Sequence, residues 1–283
     1  MSVVSSPFNS ARIAPQRTQG SGRLSVKQGH LQQTSLDRLY QQGAAKIRLP
    51  HIYEGPGMEA VLINSAGGLT GGDVFKWALS AASGTRLTVA SQACEKIYKS
   101  TGEDAVVSTH IHVEEDARLD WLPQETILYD NARLDRELTV DLAENARFLA
   151  VEAVLLGRLA MGERLNHFSM RDRWNIRRGG RLVHAEALHF KESSDNLVQR
   201  RAVLDGHVAF ATLCYTSPDQ DELSALAVVF QEMLVGSEGG VSTFNGKLLV
   251  RLTAPDGLKL RKNLIPLIQK LRNNDPMPKV WMS

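Results

Sequence analysis

Apolar and polar side chains alternate with a period of two residues along much of the chain. In the segment 167–177 (HFSMRDRWNIR), Phe168, Met170 and Trp174 fall on one parity, and charged or polar residues occupy the other. Successive side chains of a strand point to opposite faces, so this alternation predicts a half-buried strand. Similar alternation predicts strands within 74–80, 107–113, 138–142, 208–215 and 248–252. The fold class predicted is therefore mainly β.

A weak repeat of about 30 residues runs through the same region. Each copy reads turn residue, small residue, arginine and apolar residue, with the apolar position at Leu87, Leu119, Phe148 and Leu182. A glutamine or glutamate follows four or five residues later in every copy. This period favours a β-helix or solenoid, in which stacked strand layers bury their faces on one another. An ordinary β-sandwich that reuses turn chemistry is the alternative.

Two segments near the end change to the helical period. The first predicted helix covers residues near 218–235, with Ser217 as N-cap and Gly236 as its stop. The second covers residues near 263–274, and Pro266 must lie in its first turn or kink it. At the other end, residues 1–22 are rich in Ser, Gln, Arg and Gly, which predicts a mobile arm. Residues 23–283 are then expected to form a single β-rich domain.

Composition limits the classes of function. The chain has 33 Lys and Arg against 31 Asp and Glu, a formal net charge of +2, which argues against a nucleic-acid partner. Two cysteines make no disulfide framework and are typical of the reducing cytosol. The apolar runs are shorter than the about 20 residues that a membrane helix needs, and the N-terminus lacks the apolar core of a signal peptide. We therefore expect a cytoplasmic protein without a membrane partner.

A glycine-rich segment precedes the first of four candidate acidic residues. Gly67, Gly68, Gly71 and Gly72 lie within six positions and are followed by Asp73. Such density indicates tight backbone, positive φ or close approach of another segment. A phosphate-binding loop is excluded because Asp73 stands where its lysine is required. These glycines are therefore assigned a structural role, as a bend between strands.

Two other residue types are candidates for chemistry. Cys94 lies two residues from Lys96 and could be a low-pKa nucleophile, although a structural cysteine is the simpler interpretation. His110 and His112 share one face of a predicted strand and could hold a transition metal, although exposed, unliganded histidines are expected more often.

Carboxylates also occur in apolar or glycine-rich surroundings. A buried carboxylate needs an arginine, a water channel or a metal ion, and Arg147, Arg158 and Arg164 are the arginines nearest in sequence. The candidates with this character are Asp73, Glu125, Glu152 and Glu163.

The same segments, in the same order, resemble the urease accessory protein D family (UreD, also called UreH). The segments that carry the resemblance are GGLTGGD at 67–73, SQACEKIYKS at 91–100, WLPQETILY at 121–129, EAVLLGR at 152–158 and MGE at 161–163. Cys94 and Lys99 depart from the family pattern without breaking it.

The resemblance implies a chaperone that is not an enzyme. Such a protein is expected to bind apo-urease and accessory protein F, and through F the GTPase G, and to assist nickel insertion. No tightly bound cofactor is implied, only transient Ni²⁺. The four carboxylates then become candidates for lining a nickel path, because a conduit must release its cargo and oxygen ligands hold nickel less tightly than a His/Cys cage.

Two other functions stay open on the sequence. A β-helical carbohydrate-acting enzyme would use Glu125 or Glu152 in acid–base roles, with paired carboxylates about 5 to 10 Å apart in an open groove. An assembly scaffold would need no carboxylate to touch metal.

Overall fold

The computed structural model describes residues 16–52, 57–158, 162, 165–191 and 198–282. Within these ranges the chain is mainly β, and its parallel strands stack as a β-solenoid of about four turns. The strands are β1 (Gln19–Gln28), β2 (Thr34–Gly43), β3 (Ala45–Arg48), β4 (Met58–Asn64), β5 (Val74–Ala81), β6 (Arg86–Ser91), β7 (Glu95–Ile97), β8 (Ala105–Val113), β9 (Arg118–Leu122), β10 (Thr126–Leu128), β11 (Ala132–Leu142), β12 (Arg147–Leu156), β13 (Phe168–Arg178), β14 (Arg181–Phe190), β15 (Ala209–Thr216), β16 (Glu238–Phe244) and β17 (Lys247–Ala254).

Two sheets form the walls of the solenoid. The first has the order β14-β13-β11-β8-β5-β1-β2, and its five inner strands run parallel. The second has the order β16-β17-β15-β12-β9-β6-β4-β3, in which β4, β6, β9 and β12 run parallel. Antiparallel strands close every edge of the parallel stacks: β2 and β14 in the first sheet, β3 and β15 in the second. The short strands β7 and β10 form a third parallel strip with the end of β12.

The repeat predicted from the sequence is confirmed for three of its four copies. Leu87 pairs with Leu119, and Leu119 pairs with Phe148, so these side chains form one ladder in the second sheet. The fourth copy is different: Leu182 lies in β14 of the first sheet, antiparallel to β13, and is 52% exposed. The chain reverses at Gly179 and Gly180, both of positive φ, instead of starting another coil.

The strands are amphipathic because each sheet covers an apolar interior. Inward residues of both sheets, such as Leu79, Ile111, Leu119, Leu138 and Trp174, form one core cluster between the walls. A second cluster lies on the outer face of the second sheet, where the two long helices pack. Neither of these helices is long and apolar enough to cross a bilayer, and the same holds for the rest of the described ranges.

The two helices are α1 (Gln220–Met233) and α2 (Gly257–Leu271). The prediction that Ser217 is the N-cap of α1 is wrong. The side chain of Asp219 caps the helix, because it accepts hydrogen bonds from the first-turn amides. Helix α2 begins six residues before the predicted start at 263, capped by Asp256, so Pro266 lies in its interior instead of in its first turn.

The N-terminal arm predicted over 1–22 lies partly outside the described residues, which begin at 16. As part of β1, Gln19 pairs with β5, and residues 20–22 pair with both β2 and β5. Just before them, the Thr18 amide donates to Asp73 and Arg17 pairs with Glu103. The prediction of a mobile arm is therefore wrong for residues 17–22, and its part over 1–15 lies outside the described residues.

Candidate functional site

A cavity of about 320 Å³ lies between the two sheets of the solenoid. Its wall is largely apolar, with Phe75, Trp77 and Leu138 among the residues that form it. Several polar or charged residues interrupt this wall, namely Asn64, Ser91, Gln92, Glu95, Lys96, Thr109, Gln124, Thr126, Arg136, Glu137 and Glu152. A mainly apolar hollow with a few convergent polar groups is the usual form of a binding site.

Glu152 is held in this cavity by two donors. Its position on the inner side of β12 leaves it 6% exposed, and Trp121 Nε1 donates to Oε1 at 2.9 Å. Arg136 Nη1 donates to Oε2 at 2.5 Å. Burial raises the pKa of Glu152 to about 6; the charge of Arg136 opposes this shift, while that of Asp172 adds to it.

Arg136 connects Glu152 to a second buried carboxylate. Its Nε and Nη2 donate to the two oxygens of Asp172, at 3.1 and 2.7 Å, and Nη1 also donates to Thr126 Oγ1 at 3.1 Å. β11 supplies the arginine and β13 the aspartate, and both point between the sheets. The arrangement is thus a buried triad of one cation and two anions.

Glu125 lies beside the cavity and is 1% exposed. Arg261 of α2 donates to both of its oxygens, at 2.6 and 2.8 Å, and the Cys94 thiol donates to Oε2 at 3.4 Å. Burial alone would raise the pKa of Glu125, but the hydrogen bonds and charge of Arg261 hold it below its ordinary value. Arg261 also lies over the Trp281 ring, so the C-terminal segment is fixed to the same corner.

Asp73 shapes backbone at the glycine-rich bend. Its oxygens accept from the amides of Thr18 and Thr70, at 2.7 and 2.8 Å, and it is 3% exposed. It does not line the cavity, in contrast to Glu152. The fourth candidate, Glu163, lies outside the described residues.

A family model described as UreD urease accessory protein matches residues 18–282. The chain belongs to this family. Proteins named urease accessory protein UreD are 55% identical over 273 residues in Rhizobium johnstonii (96% of this chain, 97% of the relative) and 50% identical over 271 residues in Agrobacterium fabrum (95% and 93%). The namesake of a Chelativorans species is 47% identical over 271 residues, which is 94% of each chain.

In the glycine-rich bend of this UreD-family chain, close packing leaves no room for a side chain at two of the glycines. A Cβ at Gly68 would lie 2.8 Å from the Lys96 carbonyl oxygen and closer still to the Tyr98 ring. A Cβ at Gly71 would collide with Ser100 and Glu103 of the next coil. The bend therefore stacks directly on the segment that precedes β8.

The structure also bears on the two less favoured interpretations of the sequence, a reactive cysteine and a histidine metal site. The pKa of Cys94 is raised to about 11, chiefly by burial and then by Glu125, so a low-pKa nucleophile is wrong for this residue. His110 and His112 are both exposed on the same outer face of β8, as the alternation predicts. Among the described residues, no group of three or more His, Cys, Asp or Glu side chains is arranged to hold a metal ion.

Sequence reasoning missed Glu95 and Arg136 as cavity residues. Asn64 Nδ2 donates to Glu95 Oε1 at 3.0 Å, and burial raises the pKa of Glu95 to about 7. Glu95 lies inside the 91–100 segment that carries the family resemblance, which was a usable signal. Arg136 also had a signal, because it falls on the same parity of β11 as Leu134 and Leu138, and the alternation therefore places it on the inward face.

The structure also bears on the carbohydrate-enzyme alternative. Its two candidate carboxylates, Glu125 and Glu152, are both buried and each is paired with an arginine. Such groups do not face an open groove, so the geometry does not favour acid–base chemistry on a sugar.

Proposed function

We propose that this chain is a urease-maturation chaperone, without catalysis of its own, that is required for nickel insertion into apo-urease. It acts in a complex with accessory protein F and, through F, with the GTPase G. Family membership supports the maturation role. The observation that carries the nickel role is the carboxylate-lined cavity inside the solenoid.

The cavity suits a cation that passes and is released. Nickel binds strongly where nitrogen and sulfur ligands converge, and the described residues offer no such cluster. The oxygen-ligand candidates are Asp73, Glu125, Glu152 and Glu163, of which Glu152 lines the cavity among those described. Glu95 and Glu137 are further carboxylates that line the cavity. Ni²⁺ is thus cargo in this proposal, the protein holds no tight cofactor, and its location is the cytoplasm.

The test is reconstitution of urease activation with F, G and apo-urease. Variants D73N, E125Q, E152Q and E163Q are compared for urease activity, nickel content of the urease, and co-purification with F and apo-urease. We expect E152Q to assemble normally yet to load at least fivefold less nickel. Full activation by all four variants would leave only the scaffold role, and failure of the folded wild-type chain to co-purify with F and apo-urease would overturn the proposal.

A further inference from the structure

Arg136 occupies the one Glu152 oxygen that Trp121 does not bind. Trp121 donates to Oε1 and Arg136 to Oε2, so each oxygen already has a donor. A cation that approaches Glu152 from the cavity must therefore share or displace the guanidinium. Arg136 itself cannot easily move away, because Asp172 binds it at two positions and Thr126 at a third.

The cluster of Arg136, Glu152 and Asp172 carries a net charge. Arg136 contributes one positive charge, and Glu152 and Asp172 contribute two negative charges when ionised. All three side chains are below 10% exposed, so water screens this excess of one negative charge poorly. The cluster attracts a cation, yet the fixed guanidinium repels the same cation at the oxygen where it would bind. Attraction and repulsion together predict weak, reversible binding.

We propose that Arg136 is a built-in competitor that keeps the affinity of Glu152 for a divalent cation low. The inference rests on the proposed function, since it explains how a carboxylate inside the cavity could pass nickel on without retaining it. Arg136 acts here as a positioning and tuning residue, through Glu152, and does not touch the metal. Asp172 lies behind Arg136, outside the cavity wall, and anchors the competitor.

A purely structural role for Arg136 would predict a different outcome. Removing one partner of a buried ion pair destabilises a protein whether or not a metal passes. Stability and activation therefore cannot separate the two roles. Equilibrium affinity for Ni²⁺ can, because only a competitor makes binding tighter when it is removed.

The experiment measures Ni²⁺ binding to the purified full chain by isothermal titration, and Ni²⁺ release to a chelator by stopped flow. The variants are Arg136→Met, Arg136→Lys, and the double variant Arg136→Met/Asp172→Asn, which keeps the net charge of the cluster. Arg136→Met/Glu152→Gln locates the site, and Arg133→Met is the matched control, because Arg133 lies on the same strand in a more exposed pair with Asp104. The pKa of Glu152 is raised to about 6 in the wild type, and Arg136 opposes this shift. Removing Arg136 raises the pKa further, so every variant is titrated with Ni²⁺ at several pH values and the affinities are compared where they no longer change with pH.

We expect R136M to bind Ni²⁺ at least tenfold more tightly than the wild type and to release it correspondingly more slowly. R136K and R133M should stay near the wild type, and E152Q should abolish the gain. If R136M does not fold, the double variant decides, because it leaves no extra buried charge. Unchanged affinity in the folded variants would overturn the competitor role while leaving the passage intact; absence of Ni²⁺ binding in every variant would overturn both.

Discussion

The pairing of Glu125 with Arg261 is a residue-scale determinant of stability. The Glu125 side chain is 2% exposed and Arg261 is its salt-bridge partner at 2.6 Å. Removing the guanidinium leaves a buried charge without compensation, so we expect Arg261→Met to lower the free energy of unfolding by about 3 kcal/mol. Urea unfolding at pH 7 measures this loss.

The matched control for this prediction is Arg261→Met combined with Glu125→Gln. The double variant leaves no unpaired buried charge, so it should recover at least half of the lost stability. The pKa of Glu125 is held below its ordinary value, so the pair stabilises the fold above about pH 4.5 and this contribution disappears as the pH falls through the lower folded pKa. Equal stability of the single variant and the wild type at pH 7 would contradict the prediction.

The pH dependence of stability that we expect from Glu95 is opposite to that of Glu125, because the pKa of Glu95 is raised in the folded protein. Burial raises it from 4.5 to about 7, so the folded state binds a proton more readily than the unfolded chain does. Ionisation of Glu95 therefore destabilises the fold increasingly as the pH rises from 4.5 to 7. We expect Glu95→Gln to be neutral near pH 4 and to stabilise by about 1 to 3 kcal/mol at pH 8. A stability difference independent of pH would show that the carboxyl is not shifted.

Single-residue chemistry could be predicted from the sequence only up to a point. The expectation that buried carboxylates need arginine partners is confirmed for Glu125 and Glu152. The identities of those partners differ from the nearest arginines in sequence, because Arg136 lies on a strand of the facing sheet and Arg261 is 136 residues away on a helix. Contacts across sheets depend on register, which local sequence does not contain.

At the scale of elements, the glycine-rich bend allows two coils to stack. Gly67 and Gly68 both have positive φ, but open space surrounds a Cβ at Gly67, whereas one at Gly68 meets Tyr98 and the Lys96 carbonyl. We expect Gly68→Ala to cost about 2 to 4 kcal/mol, through overpacking and backbone strain. Gly67→Ala should cost only about 1 kcal/mol. Thermal unfolding of the two variants compares them directly, and similar losses would contradict a packing role for the bend.

The elements also show why helix bounds were harder to predict than strands. Alternation marks each strand directly, whereas Pro266 suggested that α2 begins near 263. In the structure, Leu260, Leu264 and Leu267 of α2 are buried in the outer core, and this packing outweighs the amide hydrogen bond that an interior proline removes. The helix continues past an exposed proline instead of ending at it.

At the scale of the whole molecule, stacking could be predicted and closure could not. Three repeat copies place Leu87, Leu119 and Phe148 in one ladder, so the period in the sequence matches the coil. The antiparallel strands that close both sheets do not continue the ladder, because they satisfy the edge hydrogen bonds, and the repeat copy at Leu182 in β14 therefore predicted a further coil that does not form. The cavity is likewise a property of the assembled walls, since its lining comes from coils that are distant in sequence.

The cavity makes the last prediction, which uses adjacent residues on opposite faces of β8. Val107 lines the cavity, whereas Val106 points outward and is 39% exposed. Val107→Phe should fill part of the hollow, and a volume of about 320 Å³ leaves room for the ring without overpacking. If cargo crosses this space, Val107→Phe should keep its folding and its binding to F and apo-urease but reduce nickel loading at least fivefold. Val106→Phe adds the same ring on the other face and should load nickel normally. Normal nickel loading by a folded Val107→Phe variant would show that the nickel path lies outside the solenoid, because the added ring obstructs the cavity.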